Sequence, residues 1–236
     1  MHSIVLLSGG QDSTTALAWA LSEGMTCRTV AFDYGQRHKV ELQQADIISK
    51  RLGAESHVVI PLEALSWLGG AALTNEHIEV EEEATEGSLN MHAWAHGLPS
   101  TFVPGRNMLF LTLAAAYGAK YGIYDLVTGI CEQDRSGYPD CRAEFAEAAQ
   151  VALTFALDEP VAIHTPLVTV SKADTWRMAD ELGILDVIIN DTHTCYYGDR
   201  TEFRAWGYGC GSCPACVERA KGFEQFSGAH LDKHPA

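Results

Sequence analysis

The sequence predicts an α/β protein: a doubly wound, mostly parallel sheet of five strands with helices on both faces, plus a small helical C-terminal region. Five apolar runs of strand length, at residues 4–7, 29–32, 56–60, 126–130 and 161–165, are bounded by turn residues. Between them lie stretches whose apolar residues recur at helical spacing, at 12–22, 39–51, 108–121 and 142–157. Strands that alternate with helices pair in parallel, because a parallel connection must cross the sheet and a helix fills that crossover. The strand exits are polar or glycine-rich, which is where open parallel sheets hold their ligands. Alternation lapses from about 62 to 104, so the expected organisation is a domain over 1–185 carrying that irregular insert, with residues 186–236 packed on it.

With 236 residues, 47% of them hydrophobic, the chain is long enough to bury a substantial core, and it has no internal repeat. A formal net charge of −15 repels phosphate backbones and anionic lipid, which argues against nucleic-acid and membrane partners. No apolar run approaches the roughly 18 residues of a membrane span, and the Met-His-Ser start lacks a signal-peptide layout. A cytoplasmic location is expected. In a reducing compartment the seven cysteines are better read for metal than for disulfides.

The first strand exit reads Leu7-Ser8-Gly9-Gly10-Gln11-Asp12-Ser13-Thr14-Thr15-Ala16-Leu17. Gly9 and Gly10 let the backbone bend and approach a ligand closely, while Ser8, Ser13, Thr14 and Thr15 crowd the turn with hydroxyl donors. A helix starting here presents unpaired N–H groups and the positive end of its dipole, an anion site whose natural guest is phosphate. The stretch lacks the Gly-Lys-Thr of the Walker loop and the spacing of the dinucleotide fingerprint. It resembles the pyrophosphate loop of the N-type ATP pyrophosphatases, enzymes that cleave ATP between its α- and β-phosphates.

Three further strand or turn exits place polar groups beside that loop. The second strand ends in Asp33-Tyr34-Gly35-Gln36-Arg37-His38, which puts Gln36, Arg37 and His38 on the same rim; the bland alternative pairs Arg37 with Asp33 or Glu41 on a solvated loop. Pro104-Gly105-Arg106-Asn107 delivers a guanidinium fork, suited to a carboxylate or phosphate, to the start of an apolar helix. The fourth strand exits into Cys131-Glu132-Gln133-Asp134. Lys172 falls in the first turn of a helix reaching Leu182, where the dipole disfavours a cation unless an anion binds nearby. In the insert, Glu76, Glu79, Glu81, Glu82, Glu83 and Glu86 read as a solvated face, since no glycine-turned loop organises them around a cation. His77, Met91, His92, Trp94 and His96 read as packing or surface residues.

Near the C-terminus, Cys195 precedes Cys210-Gly211-Ser212-Cys213-Pro214-Ala215-Cys216. Thiolates spaced by two residues in a turn face one ion, and a fourth from an upstream loop closes an all-sulfur tetrahedron that suits one structural zinc ion per chain. A ferredoxin-type cluster would want a fourth cysteine three residues after Cys216, where Arg219 stands. Cys27, Cys131 and Cys141 are left as buried thiols.

Taken together and in order, the glycine loop, the 33–38 stretch, Pro104-Gly105-Arg106-Asn107, Thr165-Pro166-Leu167 with Lys172, and the four cysteines resemble the 7-cyano-7-deazaguanine synthase family of queuosine biosynthesis. The resemblance covers nearly the whole chain. It implies an adenine nucleotide alpha hydrolase-like (PP-loop ATPase) fold and an ATP-dependent ligase, which turns 7-carboxy-7-deazaguanine and ammonia into the nitrile through adenylated acid and amide intermediates. Implied roles are ATP binding by residues 7–17, Mg²⁺ at Asp12, a supporting cation at Lys172, and contact with the acid or its acyl-adenylate at Arg106. Gln36, Arg37, His38 and Asn107 are implied as further substrate contacts, and a homodimer is implied as the assembly. Free ammonia is the expected nitrogen donor, since this length leaves no space for a glutaminase domain. One departure is a loop between Cys195 and Cys210 longer than the family pattern. Alternatives are a relative that stops at the amide, a tRNA-thiolating or protein-adenylating relative, and a zinc-binding adaptor that keeps only the nucleotide pocket.

Overall fold

The computed structural model describes residues 1–37, 39–67, 71–75, 77–78, 80, 98–132 and 137–231. His38, the glutamates at 76, 79, 81–83 and 86, Met91, His92, Trp94, His96, Gln133 and Asp134 lie outside the described residues.

The elements follow in the order β1 (His2–Leu6), α1 (Gln11–Ser22), β2 (Thr26–Asp33), α2 (Val40–Leu52), β3 (Ser56–Pro61), the single turn α3 (Ala64–Trp67) and α4 (Arg106–Ala119). Then come β4 (Asp125–Val127), α5 (Ala143–Leu157), β5 (Ala162–His164), α6 (Lys172–Glu181), α7 (Leu185–Asn190), the hairpin β6 (Phe203–Arg204) and β7 (Gly207–Tyr208), and α8 (Pro214–Leu231). The first five strands form one parallel sheet in the order β3-β2-β1-β4-β5. All five were legible as apolar runs.

Alternation along β1 shows how the sheet divides the core. Val5 joins the cluster formed with α1, α2, α6, α7 and α8, while its neighbour Ile4 joins the cluster under α4 and α5. The connections after β1 and around β4 therefore run on opposite faces, and the crevice between β1 and β4 is the switch point of the sheet.

Several boundaries differ from the pattern, each for a local reason. β4 stops at Val127, short of the expected 130, because a Cβ at Gly129 would lie 2.8 Å from the backbone of Asp12; the chain leaves the sheet there to pass the start of α1. α4 begins two residues early, after Gly105 takes a left-handed φ of +72°, so Arg106 and Asn107 belong to its first turn. α8 runs for 18 residues with Pro214 at its start, where the missing N–H costs nothing. Its Gly222 packs on α6: a Cβ there would be 2.6 Å from Cγ of Lys172. The long segment between Cys195 and Cys210 is accounted for by the β6–β7 hairpin. No helix among the described residues is long and apolar enough to cross a membrane.

Away from the switch point, Thr29 on β2 shares its hydroxyl with Ser49 (3.0 Å) and with Nδ1 of His57 (2.8 Å). Burial holds the His57 pKa below its usual value; Asp46 pulls the other way and Lys50 adds to the depression. A histidine that binds its proton less tightly when folded contributes stability above its unfolded pKa of about 6.5 and loses it as pH falls through the lower folded value. Melting temperature measured between pH 7.5 and 5 is expected to fall, and His57→Gln, which keeps an acceptor for Thr29, is expected to flatten that slope.

Candidate active site and cysteine cluster

Gly9 has φ +88°, and a Cβ on it would sit 2.3 Å from the carbonyl oxygen of Glu41, so only glycine fits between β1 and the first turn of α2. Its own carbonyl accepts the amide of His193 at 2.9 Å. Gly10 is the N-cap of α1 with extended backbone and no side-chain cap, which leaves the first amides of α1 to a ligand. Ser13 folds back over the turn: its Oγ lies 3.1 Å from Ser8 Oγ and accepts the Ser8 amide at 3.2 Å.

A cavity of about 280 Å³ opens above this loop at the switch point. Leu7, Ser8, Gly10, Gln11, Asp12 and Ser13 line it. Thr14, Thr15, Ala16 and Leu17, all 0% exposed, lie in the body of α1; Thr14 and Thr15 return their hydroxyls to the carbonyls of Gly10 and Gln11. Gln11 is 2% exposed, and neither polar atom of its amide has a partner among the described residues. A buried amide left so is costly, and a ligand in the cavity would satisfy it. Lys172, the first residue of α6 after the Ser171 cap, donates to both oxygens of Asp12 at 2.8 and 3.0 Å. The anion beside that lysine is thus a residue of the loop itself.

Arg106 and Asn107 reach the same cavity from the start of α4. Burial works against the charge of Arg106, but the surrounding Tyr34, Tyr138, Asp140 and Cys141 outweigh it and raise its pKa, so the guanidinium stays charged. Asn107 donates through Nδ2 to the carbonyl of Asp140 (2.9 Å), and its amide donates to the Asp140 carboxylate (3.2 Å); this locks α4 to the turn before α5. Burial raises the Asp140 pKa, with Arg106 pulling it down. Three tyrosines complete the wall. Burial pushes Tyr34 up to about 12, Tyr138 shares a 2.5 Å hydrogen bond with Thr101, and Tyr196 is likewise raised by burial. All three stay protonated near neutrality.

Gln36 and Arg37 stand beneath this rim and not among the lining residues. Gln36 donates to the Phe32 carbonyl and to Glu41 and accepts the Tyr34 amide, which shapes the turn after β2. Arg37 donates to the carbonyls of Ala72 and Ile78, clamping the described part of the insert; Asp33 pairs with Lys39 instead. Tyr138, Tyr196, His193 and Thr194 were not foreseen, because they come from loops with no periodic signal. Tyr34 and Glu41 were visible in the stretch around residues 33–41 but carried no assignment.

The ligand atoms of Cys195, Cys210, Cys213 and Cys216 lie within 4.8 Å of one another, the one such group among the described residues. Four thiolates about 2.3 Å from a zinc ion stand about 3.8 Å apart, and Cys210 and Cys216 are separated by 3.9 Å, so the donor set and spacing fit. Amides of Ser212 and Cys213 point at Cys210 Sγ, at 3.5 and 3.3 Å, as a thiolate needs. Cys27 and Cys131 are buried, and Cys141 is half-buried beside Asn107. Arg219, 1% exposed, links the cluster to the cavity: it donates to the carbonyls of Ile188 and Trp206 and to the hydroxyls of Thr192 and Thr194, the last a lining residue.

A parallel sheet with a serine-glycine loop at its switch point and a four-cysteine group behind it that could hold a metal defines a nucleotide-handling α/β enzyme. The chain belongs to the family described as Queuosine biosynthesis protein QueC, whose model matches residues 2–227. It is 49% identical over 245 residues to a 7-cyano-7-deazaguanine synthase of Polaromonas sp. (strain JS666), covering 97% of this chain and 98% of that one. A protein of the same name from Paraburkholderia phymatum is 45% identical, with 99% and 96% covered. Among solved structures, NMN synthetase from Francisella tularensis aligns over 100% of this chain and 87% of its own at 16% identity and a TM-score of 0.47, too loose a likeness to build on.

Two substitutions test these geometries. Gln11→Leu is expected to raise the melting temperature of the ligand-free protein, by about 1 kcal/mol of stability, while weakening ATP binding in calorimetry. Gly209→Ala places a Cβ 2.6 Å from Cys216 Sγ and is expected to lower metal content, read by atomic emission, well below one ion per chain.

Proposed function

We propose that this chain makes 7-cyano-7-deazaguanine from 7-carboxy-7-deazaguanine, ammonia and ATP. One observation carries the reading beyond family membership: a phosphate-type loop and a charged, half-buried guanidinium line one cavity. A carboxylate resists ammonia because its oxygen leaves poorly, so its oxygen first attacks the α-phosphate of ATP and pyrophosphate departs. Ammonia adds to the acyl-adenylate, AMP leaves and a proton is released, giving the amide. The amide oxygen in turn attacks a second ATP, releasing pyrophosphate and one nitrogen-bound proton; loss of AMP and the second nitrogen-bound proton leaves the nitrile.

Ser8, Gly9, Gly10, Ser13 and Thr14 shape the site for the departing pyrophosphate, through backbone amides and the hydroxyls of Ser8 and Ser13. Lys172 supplies positive charge beside it. Mg²⁺, which ATP chemistry demands, would be held by Asp12, the anion next to the loop. Arg106 binds and orients the substrate acid, with the neutral phenols of Tyr34 and Tyr138 beside it. The four cysteines hold one zinc ion, whose chemistry here is structural: it ties residues 186–236 to the domain over 1–185. We place the enzyme in the cytoplasm as a homodimer acting on small molecules and not on nucleic acid.

Mass spectrometry of the protein incubated with the acid, ATP, Mg²⁺ and ammonium is expected to show the nitrile, with no requirement for glutamine. An amide end product, or activity with glutamine and none with ammonium, contradicts the reading. Arg106→Ala is expected to slow pyrophosphate release about 10- to 100-fold, mainly through the KM for the acid; undiminished turnover would remove Arg106 from the site.

A further inference from the structure

We propose that Arg219 is a positioning residue for the glycine loop: from behind the cavity its guanidinium brackets His193, whose backbone amide holds the carbonyl of Gly9. The proposal rests on the function stated above, in which that loop takes the departing pyrophosphate of ATP, and adds to it a residue that touches no ligand.

Hydrogen bonds make the connection. Nη1 of Arg219 donates to Thr192 Oγ1 and to Thr194 Oγ1, both at 2.8 Å, so its two N–H groups grip the residues on either side of His193. The His193 amide donates to the Gly9 carbonyl at 2.9 Å, and a Cβ on Gly10 would stand 3.6 Å from the His193 carbonyl oxygen. The strip therefore lies against both glycines of the loop. Residues 192–195 belong to no helix or strand, so no ladder of backbone bonds fixes them. Arg200 reaches the Thr192 carbonyl at 3.2 Å, which secures one side of His193; Arg219 secures both.

The rest of the guanidinium is anchored, which fixes the direction of Nη1. Nε donates to the Trp206 carbonyl at 2.9 Å and Nη2 to the Ile188 carbonyl at 2.7 Å. The Trp176 ring lies 5.4 Å from Cζ, and Trp176 Nε1 donates to the carbonyl of Arg219 itself at 3.3 Å. The hairpin turn is shaped around this group, since a Cβ on Gly207 would be 2.8 Å from Nη2. Arg219 is 1% exposed and is not among the lining residues of the cavity, so its influence on a ligand runs through the strip. Taking a charge that far from water is expensive, and what it supplies here is a planar fork with fixed N–H directions. Lysine offers its donors from a single point and cannot grip both threonines while reaching both carbonyls.

The test compares wild type with Arg219→Lys, which keeps the charge and loses the fork, by pyrophosphate release, with metal content and melting temperature measured alongside. The variant is expected to raise the KM for ATP and the inhibition constant of pyrophosphate together, by about 10-fold, because a slightly displaced loop no longer meets the phosphates. The KM for the acid is expected to stay within about twofold, and metal content to match wild type. Exchange of the His193 amide, followed by hydrogen–deuterium mass spectrometry, is expected to quicken about 10-fold or more. Thr192→Val removes one acceptor outside the cavity and is expected to move the same quantities in the same direction by about threefold; it decides the matter if Arg219→Lys does not fold. An unchanged KM for ATP, an equal rise in both KM values, loss of the metal, or unaltered exchange at His193 would overturn the role of Arg219. ADP and inorganic phosphate as wild-type products would overturn the function of the loop, while the exchange measurement still judges the bracket around His193.

Discussion

The close passage of Gly9 over the start of α2 is the constraint on which the site depends. At that point the exit of β1, the first turn of α2 and the segment through His193 come within hydrogen-bonding or van der Waals distance through backbone atoms alone. No side chain fits, and none is needed, because the ligand this loop suits is read by amides and hydroxyls. The same packing seats the start of α2 against the loop, so two walls of the cavity are held by one contact.

A second constraint works from behind. The buried guanidinium of Arg219 is pulled down to about 10 by burial, yet it meets four acceptors from α7, the Thr192–Thr194 strip and the hairpin. Cys195, Cys213 and Cys216 share a core cluster with Ala16 and Leu17 of α1. The sulfur site and the glycine loop are therefore opposite sides of the same packed layer. A metal held there would brace the wall that carries His193, Thr194 and Tyr196.

Much of this was legible in the chain itself. The five parallel strands announced themselves as short apolar runs, and the cysteine spacing alone foretold a four-sulfur cluster. What stayed hidden depends on contacts distant in sequence. Tyr138 and Tyr196 reach the cavity from irregular loops, and Arg219 reads locally as an ordinary helix charge until the hairpin closes over it. Gln36 and Arg37 lie close to the loop in sequence order, but their hydrogen bonds shape the rim from below.

The central claim is that the turn between β1 and α1 grips the two outgoing phosphates of ATP while an acid takes the third as AMP. Phosphorus NMR of the nucleotide consumed during turnover of the acid addresses it most directly. The account predicts AMP and pyrophosphate in equal amounts, two of each for every nitrile; ADP with inorganic phosphate would contradict it.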